Sequence, residues 1–257
     1  MMNKFDVTVV TVVMNSSSTM QICIDSVKCQ KNVSVQHVIV DGCSTDGTID
    51  LIKQYADTTE NVVWISEPDD GIYDAMNKGL DLAEGTIVSI LNADDHYRDD
   101  LTLGRVVEVF SKHIDLDILL TDVDFINDRG AVLRRVKASW FKPKRLKYGW
   151  MPPHPGMFIT KNAYQRIGQY RTNYKIAADY EFCVRAFLIV NCVHRVKDWV
   201  SVNMRDGGVS TSGFSSTKLI TKEIIQSLIE NSIKPYYILL LLRLPIKLIL
   251  KKTCKKS

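Results

Sequence analysis

Asp94 and Asp95 stand together where the apolar segment Ile87–Asn92 stops. Two adjacent carboxylates at the end of a buried strand sit at the rim of a sheet, where open α/β folds keep their ligand crevice. Hard oxygen ligands there suit Mg2+ or Mn2+ bridging a diphosphate, the electrophilic help that a phosphate leaving group needs. Acid pairs are also ordinary turn chemistry, so the pair alone decides little. Asp41 closes the apolar run Val38-Ile39-Val40 in the same manner, and Asp46 is placed to cap the next helix. An acid at such a strand end can accept from uracil or ribose. A third apolar run, Val62–Ile65, is soon followed by Glu67-Pro68-Asp69-Asp70-Gly71. Acids after three successive strands imply one shared cleft better than three unrelated turns.

These positions need a scaffold, and the first hundred residues supply an alternation of strand and helix. Phe5–Val13, Val35–Val40, Val62–Ile65 and Thr86–Leu91 read as buried strands, being β-branched or continuously apolar. Helices are expected from the Ser16-Ser17-Ser18 caps to about Val27, from Asp46-Gly47-Thr48 to Tyr55, and from Asp74 to Ala83, closed by Gly85. The rhythm implies a Rossmann-like, mostly parallel sheet with helices on both faces, an α/β fold. Beyond Asp95 a helix over Leu101–Ser111, a hairpin of Ile118–Ile126 with Ala131–Val136, a strand Met157–Thr160 and helices over Asn162–Ile167 and Ala178–Val190 are expected. Trp140–Pro155, rich in Pro, Trp, Lys and His, reads as a functional loop. The resulting division is 1–98, 99–216 and a helical tail over 217–257.

Composition narrows the function classes. The 257 residues suffice for one sizeable core, and a net charge of +4 does not indicate a dedicated nucleic-acid binder. Six cysteines show neither a CxxC pair nor zinc spacing. The chain runs directly into a strand without a basic, cleavable leader, so a cytoplasmic protein is expected. From residue 234 onward Lys234, Arg243, Lys247, Lys251, Lys252, Lys255 and Lys256 stand without one acid, and the rest of the chain is mildly acidic.

The stretches Val40-Asp41-Gly42-Cys43-Ser44-Thr45-Asp46-Gly47-Thr48, Glu67-Pro68-Asp69-Asp70-Gly71-Ile72-Tyr73-Asp74-Ala75-Met76-Asn77-Lys78-Gly79 and Leu91-Asn92-Ala93-Asp94-Asp95 together resemble the family 2 glycosyltransferases of GT-A fold. The resemblance is strongest to bacterial enzymes of capsule, O-antigen and colanic-acid-type polysaccharide assembly. It is dense over residues 5–97 and thinner to about 215, and it implies that 1–98 is the nucleotide-sugar-binding half, 99–216 the acceptor-binding and catalytic half, and 217–257 a membrane-associating tail. It implies inverting transfer of a sugar from a nucleotide-diphosphate sugar, a UDP- or GDP-sugar, with Mn2+ or Mg2+. In that case Asp41 contacts the base, Asp94 lies near ribose and metal, and Asp95 ligates the metal. Thr11, Val13 and Asn15 line the nucleoside pocket, and Asp70 belongs to the same rim. Lys78 and Arg205 are candidate diphosphate partners.

Inverting transfer also needs a carboxylate to take the acceptor proton. Asp179, opening a helix in Ala177-Ala178-Asp179-Tyr180-Glu181, resembles the family's base, with Glu181 as fallback; an acid in a first helical turn also suits the macrodipole alone. His154, in Pro152-Pro153-His154-Pro155-Gly156, resembles a residue at the acceptor edge that binds acceptor or leaving diphosphate. Ser210, in Gly207-Gly208-Val209-Ser210, resembles a loop closing over the donor. The Q/R-x-x-R-W signature of processive synthases is absent, which favours addition of one sugar.

Tyr236–Leu250 carries only Arg243 and Lys247 as charges and is interrupted by Pro245. It is shorter than the roughly 20 apolar residues of a bilayer span. A basic amphipathic segment of this kind suits an anionic membrane surface, the cytoplasmic face of an inner membrane, and a lipid-linked saccharide acceptor. Packing of this tail on the body is the alternative. The rival functions are transfer to a polyprenyl phosphate, a metal-dependent phosphohydrolase, and a non-catalytic membrane-surface scaffold.

Overall fold

The computed structural model describes residues 4–205 and 213–240. Strands β1 (Phe5–Val13), β2 (Val35–Asp41), β3 (Val62–Ser66) and β4 (Gly85–Ile90) alternate with helices α1 (Met20–Lys28), α2 (Thr48–Asp57) and α3 (Ile72–Asp81). Then come β5 (His96–Tyr97), α4 (Thr102–Ser111), β6 (Ile118–Ile126), β7 (Val132–Val136), β8 (Met157–Thr160), α5 (Lys161–Ile167), α6 (Ala178–Val184), β9 (His194–Arg205) and α7 (Gly213–Glu230).

The strands form one nine-stranded sheet in the order β3-β2-β1-β4-β8-β6-β9-β5, with β7 on β6. β1 to β4 are mutually parallel, so their C-terminal ends share one edge. β8 runs antiparallel between β4 and β6, whereas β6 and β9 run parallel to each other. The mostly parallel sheet expected from the first hundred residues is found in β1 to β4, and the second half is mixed. The ladder is continuous across residue 98, since β4 pairs with β8 and β5 with β9.

The continuous apolar run of β1 is explained by burial on both faces. On one face Val10, Val12, Val38 and Val40 pack with Met76, Tyr164, Phe182 and Leu228 from α3, α5, α6 and α7. On the other, Val9 meets Cys23 and Leu103 from α1 and α4, while Ile39 meets Ile24 and Ile52 from α1 and α2. Gly79 lets α3 approach the sheet: a Cβ there would stand 2.2 Å from Val10 Cγ1.

Several boundaries differ from expectation for local reasons. The N-cap of α1 is Thr19, and the serines do not cap it; the Ser16 carbonyl instead receives the Thr19 and Met20 amides. α3 begins two residues early, because Gly71 at φ +113° turns the chain into it. Gly85 does not close that helix but opens β4. The expected helix to Val190 stops at Val184 and continues as a π-helical turn, Arg185–Ile189. The 12-residue β9 and the short β5 carry no local pattern that marks them as strands. The hairpin at Asn127–Gly130 is as expected, with Asn127 Oδ1 accepting from the Arg129 and Ala131 amides.

Candidate active site at the sheet rim

Strand register brings the chemistry to one rim. Asp41 is the last residue of β2, and the Asn92–Asp95 turn follows β4, with β1 between the two strands. Because Ser89 pairs with Phe158, the start of β8 and the preceding His154 belong to the same edge. β6 carries Asp122 and Asp124 toward it, and β9 ends there with Arg205 opposite Ile126.

Asp41 is fully buried. Its Oδ2 accepts from the Ser44 amide (3.0 Å) and the Ser66 hydroxyl (2.6 Å), while Oδ1 is buried without a donor. A buried carboxylate oxygen left unpaired is costly, so its persistence at a cleft points to a ligand that donates to it. The loops after β1 and β2 are laced together around it. Asn15, at φ +50°, accepts from the Thr45 amide (2.8 Å), and its own amide donates to Ser44 Oγ (2.8 Å).

Asp95 is sealed from solvent, with Oδ1 accepting from the Arg205 amide (3.3 Å) and Oδ2 from Asn92 Nδ2 (3.5 Å). Burial first, and the neighbouring Asp94 second, push its carboxyl well above the ordinary carboxylate range. Asp94 is half-buried and is raised by burial too, with Arg205 opposing. Arg205 pairs through one guanidinium nitrogen with the exposed Asp128 (3.0 Å), and its Nε is buried without an acceptor. His96 lies beside this group, its ring bonded to Asn203 (3.1 Å) and its pKa lowered chiefly by burial.

Among the described residues no three His, Cys, Asp or Glu side chains converge as a metal cage. Mg2+ and Mn2+ need less, because one or two carboxylates plus substrate phosphates and waters suffice. Asp94 and Asp95 with the unpartnered, buried Asn92 Oδ1 beside them fit such an ion, and its charge would offset the strain that raises both acids.

Asp179 stands in the first turn of α6, half-buried, its carboxylate accepting from the Tyr180 amide (2.7 Å). It lies close enough to Tyr73 of α3 to help burial raise that phenol. The loop before it is held from two sides. Tyr73 donates to the Ile176 carbonyl (2.5 Å), and Glu223 of α7 accepts from the amides of Lys175, Ile176 and Ala177 at 2.9, 3.0 and 2.9 Å. His154 bonds Tyr170 (2.8 Å), which stacks on Tyr73 at 6.1 Å. Burial brings His154 down to about 4, so it is a neutral group at pH 7 and not a cation for a diphosphate.

Other expectations are corrected. The Thr11 hydroxyl faces the opposite side of the sheet, bonded to His37 Nε2 (2.9 Å), and Val13 packs in the core with Met20 and Ile39. Both side chains alternate onto the α1–α2 face of β1. Lys78 is enclosed by Asp69 (2.7 Å), Glu67 (2.9 Å) and Asp74 (3.2 Å), so its charge is already neutralised within the protein. Asp70 is exposed, and its amide donates to Asp74 (3.2 Å). Glu181 is fully buried and bound by Arg185 and Arg171, which removes it as a fallback base. Ser210 and the loop around it lie outside the described residues, as does the chain after Leu240.

Residues 8–171 match the sequence profile described as Glycosyl transferase family 2. The chain belongs to glycosyltransferase family 2. This glycosyltransferase is 31% identical over 219 residues to a PGL/p-HBAD biosynthesis glycosyltransferase of Mycobacterium bovis, covering 84% of the chain and 80% of the relative. A shorter match, 36% over 96 residues, covers 37% of the chain and 38% of the putative teichuronic acid biosynthesis glycosyltransferase TuaG of Bacillus subtilis. In fold it is similar to residues 1–349 of S. aureus TarS in complex with UDP-GlcNAc, with TM-score 0.67, 21% identity, and coverage of 86% of this chain and 66% of that one. The mannosyltransferase PcManGT of Pyrobaculum calidifontis in complex with GDP-Man and Mn2+ is similar at TM-score 0.65 and 17% identity, covering 88% and 64%. The α/β architecture is thus the GT-A fold.

Asp122 and Asp124 on β6, and Tyr73 and Glu223 that hold the loop before Asp179, are the residues that sequence reasoning missed. Asp122 accepts from the Ala138 amide (2.9 Å), and Asp124 holds Arg135 through two bonds. The signal available for these two was an apolar strand carrying two acids at spacing two, which a half-buried strand does not need.

Proposed function

We propose that the enzyme adds a single sugar, with inversion, from a nucleotide-diphosphate sugar to a hydroxyl of a saccharide acceptor in cell-surface polysaccharide or glycolipid assembly. The observation that carries this reading is an Asp41 oxygen without a donor at the end of β2, with the Asp94–Asp95 pair just past the end of β4 on the same edge; Asp179, in the first turn of α6 and close to Tyr73, is the carboxylate this reading assigns as base. The UDP-GlcNAc and GDP-Man named with two proteins of like fold support the donor class, and Mn2+ beside one of them supports the ion.

In this mechanism Asp41 accepts from an N–H of the base. Asp94 and Asp95 would hold Mg2+ or Mn2+, which when bound supplies charge neutralisation for the departing diphosphate. Arg205 presents its guanidinium to the same oxygens, exchanging the exposed Asp128 for them. Asp179 takes the proton of the acceptor hydroxyl while that oxygen attacks the anomeric carbon. The bond from that carbon to the diphosphate oxygen breaks, and its electron pair leaves with the nucleotide. Tyr73 and Glu223 keep Asp179 in place through the loop before it.

The acceptor we favour is lipid-linked and presented at the inner leaflet, which the acid-free basic composition from residue 234 onward supports. Among the described residues no helix is long and apolar enough to cross a membrane. The test is Asp179→Asn. Turnover of nucleotide-sugar with acceptor should fall by roughly a hundredfold or more, with donor affinity by calorimetry unchanged. Near-normal turnover removes Asp179 as the base.

A further inference from the structure

Residues 129–178 contain twelve lysines and arginines and not one aspartate or glutamate. Several of these cations serve the body. Arg135 pairs with Asp124, Arg166 with Asp117 and Arg171 with Glu181, and Lys161 donates to the Ala83 carbonyl. Lys137, Lys142, Lys144 and Lys147 form no ion pair among the described residues, and they concentrate on the short segment from 137 to 147. Lys142, Lys144 and Arg145 are exposed there, next to Trp140, whose exposure is 65%.

Contacts make this segment one surface with the start of the C-terminal stretch. Arg145 donates to the Trp140 carbonyl (2.5 Å), and the Tyr148 ring meets Tyr236 edge-on at 5.3 Å. Tyr236, Tyr237, Ile238 and Leu239 follow, all exposed, Ile238 at 76%. The segment is not a loose loop. Leu146 is fully buried, Tyr180 donates its hydroxyl to the Leu146 carbonyl, and the Ala138 amide is held by Asp122.

We infer that the face built from Trp140–Tyr148 and Tyr236–Leu239 docks on an anionic lipid bilayer, as a contact of the catalytic body itself in addition to the basic tail. Free lysines beside exposed aromatic and aliphatic side chains complement a surface that offers anionic headgroups above hydrocarbon. A nucleic acid would use the charges but not Ile238 and Leu239, and so fits less well. This deepens the proposed function and rests on it for its purpose. Tyr180, bonded to the docking segment, follows Asp179 directly in α6, so docking brings the α6 end of the cleft to the lipid surface where a lipid-linked acceptor stands.

The experiment is co-sedimentation of the full chain with vesicles of phosphatidylcholine containing one third phosphatidylglycerol, and with phosphatidylcholine alone. The chain should bind the anionic vesicles and lose them in high salt. Each lysine contributes roughly fivefold to partitioning, so the triple variant Lys142→Ala, Lys144→Ala, Lys147→Ala should bind roughly a hundredfold more weakly, with an unchanged melting temperature. Trp140→Ala should weaken binding independently of salt. Wild-type binding by the triple variant, equal binding to neutral vesicles, or tighter capture by single-stranded DNA at the same salt overturns the inference. Nucleotide-sugar binding, measured alongside, separates the outcomes: donor binding without the lysine dependence sinks only the docking face, whereas no donor binding sinks the proposed function.

Discussion

Replacing Glu223 by alanine removes the device that sets the start of α6. Glu223 is 5% exposed and accepts from three successive amides, and α6 has no side-chain N-cap of its own at Ala177. A hydrogen bond to a charged group contributes about 1.5–3 kcal/mol. The three are not equal, because Lys175 is exposed and Ile176 half-buried, so their amides can rehydrate, whereas Ala177 is buried. Counting the buried amide in full and discounting the other two gives a loss of about 3–4 kcal/mol. For a chain of this size that is a fall of roughly 6–16 °C in melting temperature. Glu223→Gln keeps one accepting oxygen and should lose about half as much. Urea unfolding measures the stability, and steady-state kinetics measure the function. Turnover should drop in Glu223→Gln with donor affinity intact, because the loop before Asp179 loosens while the Asp41 and Asp95 loops are untouched. A Glu223→Ala protein within about 1 kcal/mol of wild type and of normal turnover would refute the reasoning.

Three further outcomes are expected. Asp41→Asn should weaken nucleotide binding by roughly 30-fold, about 2 kcal/mol for one lost charged hydrogen bond. The melting temperature should change little, since an unpaired buried oxygen is exchanged for an unpaired buried amide N–H group while the other position still accepts from Ser44 and Ser66; calorimetry and thermal melts check both. Asp95→Asn should abolish the Mn2+-dependent part of donor binding and raise the melting temperature in metal-free buffer, because a desolvated charge beside Asp94 disappears; unchanged Mn2+ dependence would count against the metal role. His37 is buried, bonded to Thr11 and Tyr55, and burial holds it down to about 3. Its folded value lies below the unfolded one of about 6.5, so its contribution is complete above that pH and is lost as pH falls toward 3. Its ceiling is about 5 kcal/mol; denaturant unfolding across this range should show a steeper pH dependence than in His37→Gln, and equal slopes would contradict it.

The alternating half of the fold was legible because its strands are buried on both faces and must be continuously apolar, so an acid such as Asp41 or Asp95 marks a strand end by itself. Those motifs also carried the family. The same local grammar could not expose β9, whose half-buried pattern His194–Arg205 mixes charge with Val and Trp and pairs in parallel with a strand 76 to 79 residues earlier. Nor could it tell which face of β1 Thr11 would occupy, or that Lys78 would be neutralised by three acids of its own segment. Spacing gives the identity of a charge but not its company. Glu223 is the clearest case: on the helix surface of a sequence it is one more solvated acid, and only the packing of α7 on α6 brings it to three amides some 46–48 residues away. What the chain's own residues determined was which strand ends carry acids; what tertiary structure decided was which of those acids remain available to a substrate, because hydrogen bonds made across distant segments claim some and leave an oxygen of Asp41 unclaimed.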